Sequence, residues 1–132
     1  MREILFKAKQ IDNGEWVVGQ YVNTCYPGNG KETGHFIVVY PNEYHEIYTS
    51  TLCQFTGLCD KNGNKIWEND IIQYGAVAAV IKFGEYGNGN LGFYVDFPEE
   101  TNYRKDFAYW AKKVVVIGNA FDNQELLQEV PE

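Results

Sequence analysis

The sequence has no long apolar run and no strongly apolar N-terminal segment. A transmembrane helix needs about twenty consecutive, mostly apolar residues, and no such run occurs among the 132 residues. The N-terminal residues MREILFK lack the apolar core of a secretory signal peptide and are interpreted as the start of a β-strand. The sequence therefore predicts no membrane partner and a location in the cytoplasm.

Cysteine and histidine are also scarce, with three Cys and two His residues. Their types suit zinc, but no pair has the short spacing that structural zinc sites usually show; they are Cys25, Cys53, Cys59, His35 and His45. No local context marks a thiol as activated, since a reactive thiolate needs a basic neighbour or a helix N-terminus. We therefore expect reduced, inert thiols, no metal and no cofactor.

Positive charge is in short supply. Eleven Lys and Arg residues stand against eighteen Asp and Glu residues, which gives a net charge of -7. Nucleic-acid binding relies on clusters of Lys and Arg that neutralise phosphates, so a general phosphate-binding surface is not expected. A local basic patch remains compatible with this balance.

Aromatic residues and glycine, by contrast, are abundant. The chain has ten Tyr, eight Phe, three Trp and 13 Gly residues. This composition favours strands joined by turns over helices. The length fits a single domain with one hydrophobic core.

The most informative stretch is residues 54–72, QFTGLCDKNGNKIWENDII. Asn-Gly is a strong hairpin signal because both residues tolerate positive φ, so the pattern predicts short strands separated by tight turns. The aspartate before the final apolar pair suits a turn in which its carboxylate accepts backbone N–H groups. The predicted structural turn residues are Gly57, Asp60, Asn62, Gly63 and Asp70.

Residues 54–72 resemble the core motif of the YopX family, small proteins encoded mainly by phages and prophages of bacteria, which reads close to QYTGLKDKNGKEIYEGDIV. The matching residues are Gln54, Thr56, Gly57, Leu58, Asp60, Lys61, Asn62, Gly63, Ile66, Glu68, Asp70 and Ile71. GEWVVG at residues 14–19 resembles the family's GEWVYG, and VIGN at 116–119 with ELL at 125–127 resembles its ending. The resemblance implies an SH3-like β-barrel and a phage origin. It implies no established activity, so it supplies no catalytic residues.

The predicted fold is mainly β, an SH3-like β-barrel with an N-terminal β-hairpin extension and a short C-terminal helix. Residues 1–132 are expected to form one domain, with the hairpin and further strands in 1–50 and the barrel core and helix in 51–132. Residues 71–83 fit either one long bent strand or two strands. Residues 103–110 fit a short helix or an irregular crossing. Asp122, three residues before Glu125, is expected to open the C-terminal helix.

Two further patterns carry weak indications of chemistry. Glu68 with Asp70, and Glu99 with Glu100, are neighbouring carboxylates that would serve as acid and base only if burial raised a pKa. For Asp70 a turn role is favoured. Residues 84–92, GEYGNGNLG, are expected to form a flexible loop that lacks the Lys-Ser/Thr of a phosphate loop. Neither pattern predicts an active site.

Residues 103–113, YRKDFAYWAKK, carry four of the eleven basic residues and four aromatic residues. Rings interleaved with cations are typical of surfaces that hold single-stranded nucleic acid, and SH3-like barrels also bind peptides on aromatic surfaces. The alternative is that the rings belong to the core and the cations line its solvent side. The candidate partner-binding residues are Tyr103, Arg104, Lys105, Tyr109, Trp110, Lys112 and Lys113.

Three classes of function compete. A non-enzymatic protein-binding or regulatory module, encoded by a phage or prophage, fits the small size, the acidic charge and the absence of a catalytic cluster. A single-stranded nucleic-acid-binding module depends on residues 103–113 alone. An enzyme depends on scattered carboxylates and thiols. The first class is favoured, with an unknown protein or peptide partner in the cytoplasm of the bacterial host.

Overall fold

The computed structural model describes residues 3–25 and 33–127. Ten β-strands form within these ranges: β1 (Phe6–Lys9), β2 (Trp16–Cys25), β3 (Thr33–Val39), β4 (Glu43–Glu46), β5 (Cys53–Cys59), β6 (Lys65–Trp67), β7 (Asp70–Tyr74), β8 (Val77–Tyr86), β9 (Asn90–Asp96) and β10 (Val115–Asn119). The single α-helical turn in these ranges is α1 (Phe107–Trp110), and short 3-10 turns lie at Thr49–Thr51, Glu99–Thr101, Ala111–Lys113 and Gln124–Leu127. The mainly β prediction is confirmed.

The chain divides into two compact units, Met1–Phe55 and Thr56–Glu132. Strand β5 begins in the first unit and ends in the second. The prediction of a single domain, with the hairpin and further strands in residues 1–50 and the barrel core and helix in residues 51–132, stays a prediction.

In the first unit, β1 to β4 form an antiparallel meander and β5 returns beside β1, which gives the strand order β4-β3-β2-β1-β5. The predicted N-terminal hairpin is confirmed, because β1 pairs with β2 from Phe6 opposite Gly19 to Lys9 opposite Trp16. Its core contains Ala8, Ile37 and Ile47. Within this unit, strand β1 pairs on its other side with the start of β5.

The second unit contains an antiparallel sheet with the strand order β10-β7-β8-β9. Residues 71–83 form two strands, because the chain reverses at Gly75, where φ is +59°. Strand β10 then returns to pair with β7, from Val115 opposite Gln73 to Asn119 opposite Asp70. The apolar core of this unit consists of Ile66, Ile72, Ala79, Ile81, Val95, Phe97, Phe107, Trp110, Ala111 and Val114.

The predicted flexible loop at residues 84–92 is wrong. Strands β8 and β9 continue through both ends of this segment, with Gly84 opposite Gly92 and Tyr86 opposite Asn90. The Tyr86 and Tyr94 rings stack with their centroids 5.4 Å apart. Cross-strand pairing therefore outweighs the weak strand preference of glycine and asparagine in this segment.

The predicted fold also includes a closed barrel and a C-terminal helix. The described strands form two open sheets, so closure into an SH3-like barrel stays a prediction. The expected C-terminal helix begins at Gln124 instead of Asp122 and is a 3-10 turn as far as Leu127. The sequence also predicts a loop at residues 25–34, with Pro27 within it, and packing of Val130 on the barrel; residues 26–32 and Val130 lie outside the described residues.

Candidate functional site

Residues 103–113 connect β9 to β10 along the edge of the four-stranded sheet. Asp106 forms a β-bridge with Tyr94, and the Val95 N–H donates a hydrogen bond of 2.9 Å to the Lys105 carbonyl. The chain then enters α1 and the 3-10 turn Ala111–Lys113. The bridge and the helical turn fix the backbone that presents the predicted partner-binding residues.

Trp110 is a core residue. It is 5% exposed, and its indole Nε1 donates a hydrogen bond of 2.7 Å to the Arg104 carbonyl. The Tyr74 and Phe97 rings contact it edge-on, with centroids 4.8 and 5.0 Å away. A ring enclosed in this way cannot stack on a partner, so the candidate partner-binding surface excludes Trp110.

Tyr109, by contrast, is 43% exposed. The Arg104 guanidinium carbon lies 4.3 Å from the centre of the Tyr109 ring, and the Lys113 Nζ lies 4.6 Å from it. Both distances are within the range of cation–π attraction. Arg104, Tyr109 and Lys113 therefore form one exposed group, which we call the Tyr109 cluster.

Arg104 also binds a neighbouring carboxylate. Its Nε and Nη2 donate hydrogen bonds of 2.7 and 2.9 Å to the two carboxylate oxygens of Asp106. The hydrogen bond from Arg104 is the main cause that lowers the pKa of Asp106. The same bond raises the pKa of Arg104, so both side chains are charged at neutral pH.

A cleft of about 450 Å³ lies between the β8–β9 turn and the segment that precedes α1. We call it the hairpin cleft, and its lining residues are Tyr86, Gly87, Asn90, Tyr103, Arg104, Lys105 and Asp106. A second cleft of about 280 Å³, beside the 3-10 turn Glu99–Thr101, shares Tyr103 and Lys105 with the first. Three of the seven predicted partner-binding residues, Tyr103, Arg104 and Lys105, therefore line the hairpin cleft.

The Tyr109 cluster and the hairpin cleft meet at a single side chain. Arg104 lines the hairpin cleft and also lies against the Tyr109 ring. Lys112 is exposed but lines neither cleft. The structure thus brings together six of the candidate residues around Arg104 or within the same turn. Trp110 differs from them because it is buried, although its ring packs against the Tyr103 and Tyr109 rings, with centroids 5.4 and 5.0 Å away.

Asp60, in the 54–72 motif, is a buried structural carboxylate that is 4% exposed. Its Oδ1 accepts hydrogen bonds of 2.9 Å from the N–H groups of Asn62 and Asn64. Its Oδ2 accepts one of 2.9 Å from the N–H of Val116 in β10. Burial alone would raise the pKa of Asp60, but the bonds from Val116, Asn64 and Asn62 together lower it below the usual 3.8. Asp60 therefore joins the turn to the sheet.

Asp70 has a similar role in the next turn. It is 3% exposed, and its Oδ2 accepts a hydrogen bond of 2.8 Å from the Trp67 N–H. Between these two residues Asn69 has a φ of +71°. This arrangement places the Asp70 carboxylate on a backbone donor inside the turn, and it supplies the backbone contact that the sequence pattern predicts.

Gly57 and Gly63 both adopt positive φ, at +91° and +86°. Gly63 lies in the predicted turn, but the prediction of a turn at Gly57 is wrong, because this residue lies within strand β5. A Cβ added at either position would meet no atom within 4 Å, so the cost of a side chain comes from backbone conformation alone. We expect Gly57→Val and Gly63→Val each to lower the free energy of unfolding by about 1–3 kcal/mol. Chemical denaturation measures this, and unchanged midpoints for both variants would contradict the positive φ at these positions.

The residues considered for zinc or thiol chemistry are scattered. Cys53 is buried and its Sγ lies 3.2 Å from the Thr51 carbonyl oxygen, whereas Cys59 is half-buried. His35 Nδ1 is hydrogen-bonded to the Tyr21 hydroxyl, and His45 lies 3.2 Å from a Glu43 oxygen. The side chain of Cys25 is outside the described residues.

Neither a metal site nor a membrane span is present in the described ranges. In residues 3–25 and 33–127, no three His, Cys, Asp or Glu side chains are placed to bind a metal ion together. In the same part of the chain, no helix has the length and apolar character needed to span a membrane.

Comparison with known proteins identifies the family. The family model described as YopX protein matches residues 5–128. The chain belongs to the YopX family. A crystal structure of protein EF1440 from Enterococcus faecalis is similar to this chain, with a TM-score of 0.56 and 20% identity over 97% of this chain and 100% of that chain. That likeness concerns the fold. No curated protein matches the chain.

In this YopX-family chain, the turn residues of the recognisable motif and the candidate site are different parts of the second unit. Asp60, Gly63 and Asp70 form turns and bind backbone groups. The hairpin cleft is lined instead by residues 86–90 and 103–106. The motif therefore explains the fold of the family member better than it explains any binding.

Sequence reasoning missed one side of the cleft, formed by Tyr86, Gly87 and Asn90. The frequent glycines of residues 84–92 favour a loop, so the sequence does not indicate that β8 ends and β9 begins within this segment. A usable signal is present all the same, since Asn88-Gly89 is the same hairpin dipeptide that marks the other turns.

Proposed function

We propose that this protein is a non-enzymatic protein-binding or regulatory module, a phage or prophage accessory protein that acts in the bacterial cytoplasm. The observation that carries this proposal is the Tyr109 cluster beside the hairpin cleft. There Arg104, Lys105 and Lys113 concentrate positive charge on a chain whose net charge is -7. Exposed aromatic and Arg side chains around a concave surface are typical of protein recognition.

The state of the aromatic rings favours a protein partner over single-stranded nucleic acid. Bases bind such proteins by stacking on exposed aromatic faces. Phe107 and Trp110 are 4% and 5% exposed, and Tyr109 already has two cations at its ring. Tyr103 packs edge-on against Phe97, with centroids 5.1 Å apart. Few free faces therefore remain in residues 103–113 for bases.

The chemistry of the cleft supports binding over catalysis. Its one carboxylate is Asp106, which Arg104 holds in a bidentate ion pair. This pairing lowers the pKa of Asp106, whereas a general acid at neutral pH needs a raised pKa. The Asp106 carboxylate, ionised and hydrogen-bonded to Arg104, is therefore suited to the recognition of charge.

We also infer that the second unit is an open variant of the SH3-like barrel. Three strands follow one another as a meander, β7-β8-β9, and β10 returns after a helical turn to pair with β7. The Tyr94–Asp106 bridge stands where a further strand would extend the meander. Small barrels of this kind bind peptides on their surfaces.

Affinity capture from host cells during phage growth tests the proposal. We expect the wild type to retain a protein partner after nuclease treatment. We expect Lys105→Glu with Lys113→Glu to reduce the amount captured by about tenfold, because two charges at the surface are reversed.

Lys65→Glu with Lys61→Glu is the matched control, since it changes the charge equally at exposed positions that line neither cleft. Capture that disappears after nuclease treatment would support the nucleic-acid alternative. Equal capture by the wild type and the Lys105/Lys113 variant would place the binding surface elsewhere.

A further inference from the structure

The hairpin cleft already contains one carboxylate, supplied by the chain itself. Asp106 presents both of its oxygens to the Arg104 guanidinium, at 2.7 and 2.9 Å. This two-point geometry is the one in which arginine recognises the carboxylate of a binding partner. The Arg104 and Asp106 side chains are 59% and 35% exposed, so solvent and a partner can both reach the pair.

The pair is also exposed, so it contributes less to stability than a buried pair of the same geometry. Exposed salt bridges contribute little to stability, because water screens them and two side chains lose freedom. Asp106 precedes α1, yet its carboxylate makes no capping hydrogen bond to that helix. Its backbone carbonyl, not its side chain, accepts the hydrogen bond from Tyr109 N–H. The carboxylate can therefore leave Arg104 without breaking a contact that the helix needs.

The rest of the cleft offers donors to an incoming acid. In the described part of the chain Lys105 makes no ion pair, and it lines both clefts. Tyr86, Tyr103 and Asn90 add hydroxyl and amide groups to the same lining. Lys113 lies close by on the Tyr109 ring.

We propose that the hairpin cleft binds an acidic side chain of an extended peptide segment of the partner, and that Asp106 is an internal competitor for Arg104. The partner's carboxylate takes the guanidinium position that Asp106 holds in the free protein. Asp106 thereby sets the affinity, since every binding event must first separate the internal pair. This inference rests on the proposed function, and it names the partner's chemistry and the residue that limits binding.

Fluorescence anisotropy with a labelled hexaglutamate peptide, blocked at both ends, tests the inference on the full chain. We expect Asp106→Asn to bind the peptide about fivefold more tightly than the wild type, because it releases Arg104 from a surface ion pair. We expect Arg104→Gln to bind at least about fivefold more weakly. The Arg104 carbonyl that accepts the Trp110 hydrogen bond belongs to the backbone and is retained.

Glu100→Gln is the matched control for the change in net charge. Glu100 is exposed in the 3-10 turn Glu99–Thr101 and lines neither cleft. Unchanged denaturation midpoints would show that the variants are folded. Affinity that rises equally in Glu100→Gln and Asp106→Asn would overturn the inference, because general charge would then explain the gain.

Two further outcomes contradict the inference. One is an affinity of Asp106→Asn for the peptide that is no higher than that of the wild type. The other is tighter binding of a hexathymidylate strand than of hexaglutamate. Either result leaves capture of a protein partner by the Lys105 and Lys113 surface as a separate finding. Failure of the inference and failure of the proposed function are therefore distinguishable.

Discussion

Replacing Asp60 with alanine is expected to lower the free energy of unfolding by about 3–5 kcal/mol. The change removes the acceptor of three backbone N–H groups, those of Asn62, Asn64 and Val116, each bound at 2.9 Å. Asp60 is 4% exposed, so water has little access to the donors that are left. Chemical denaturation followed by tryptophan fluorescence measures the loss.

Lys61→Ala is the control, because Lys61 is the exposed neighbour of Asp60 in the same turn. It should change the free energy of unfolding by less than about 0.5 kcal/mol. Asp60→Asn should fall between the two, since the amide keeps one oxygen acceptor and presents an N–H₂ group on the other side. If Asp60→Ala is as stable as Lys61→Ala, the carboxylate does not join the turn to β10.

Because Asp60 ionises, its contribution to the free energy of unfolding depends on pH. The pKa of this carboxyl is below 3.8 in the folded protein, and it is about 3.9 in an unfolded chain. Its charged form therefore stabilises the fold fully above the unfolded pKa, and this stabilisation is lost as the pH falls through the folded pKa. The stability difference between the wild type and Asp60→Asn should shrink below about pH 4. A difference that stays constant from about pH 7 to about pH 3 would contradict this.

Trp110→Ala is expected to cost about 3–5 kcal/mol, as large-to-small substitutions of buried aromatic residues do. The indole is 5% exposed, contacts the Tyr74 and Phe97 rings, and donates the hydrogen bond to the Arg104 carbonyl that the variant loses. This variant is therefore a test of folding and not of binding. Thermal or chemical denaturation measures it.

Tyr109→Ala is the matched aromatic control at the preceding position in the chain. Tyr109 is 43% exposed, so its truncation should cost less than about 1 kcal/mol. The free energies of unfolding of the two variants should therefore differ clearly. Equal, small losses would mean that Trp110 lies at the surface and belongs with the partner-binding residues after all.

Local chemistry explains which parts of the fold the sequence could predict. The turn at Gly63 depends on residues a few positions apart, and Gly63 has the expected positive φ. Gly57 also has a positive φ, but within strand β5. The N-terminal hairpin likewise follows from its own turn and strands. The contact from Asp60 to Val116 spans 56 positions, and the sequence near Asp60 does not predict it.

The candidate site depends on distant contacts and was predicted only in part. Whether Trp110 is buried is decided by Tyr74 and Phe97, which belong to other segments of the chain. The local sequence of residues 103–113 does not determine whether their rings face the core or the solvent. The position of Asn90 in the cleft follows from pairing of β8 with β9, which the frequent glycines of this segment conceal.

An amide chemical-shift titration of the labelled wild-type protein with blocked hexaglutamate tests the central claim most directly. That claim separates a structural family motif from a binding cleft formed elsewhere in the same unit. We expect the largest shifts at Gly87, Asn90 and residues 104–106, which line the cleft, and little change at residues 57–64. Shifts concentrated in residues 57–70, or absent from the cleft at saturating peptide, would contradict it.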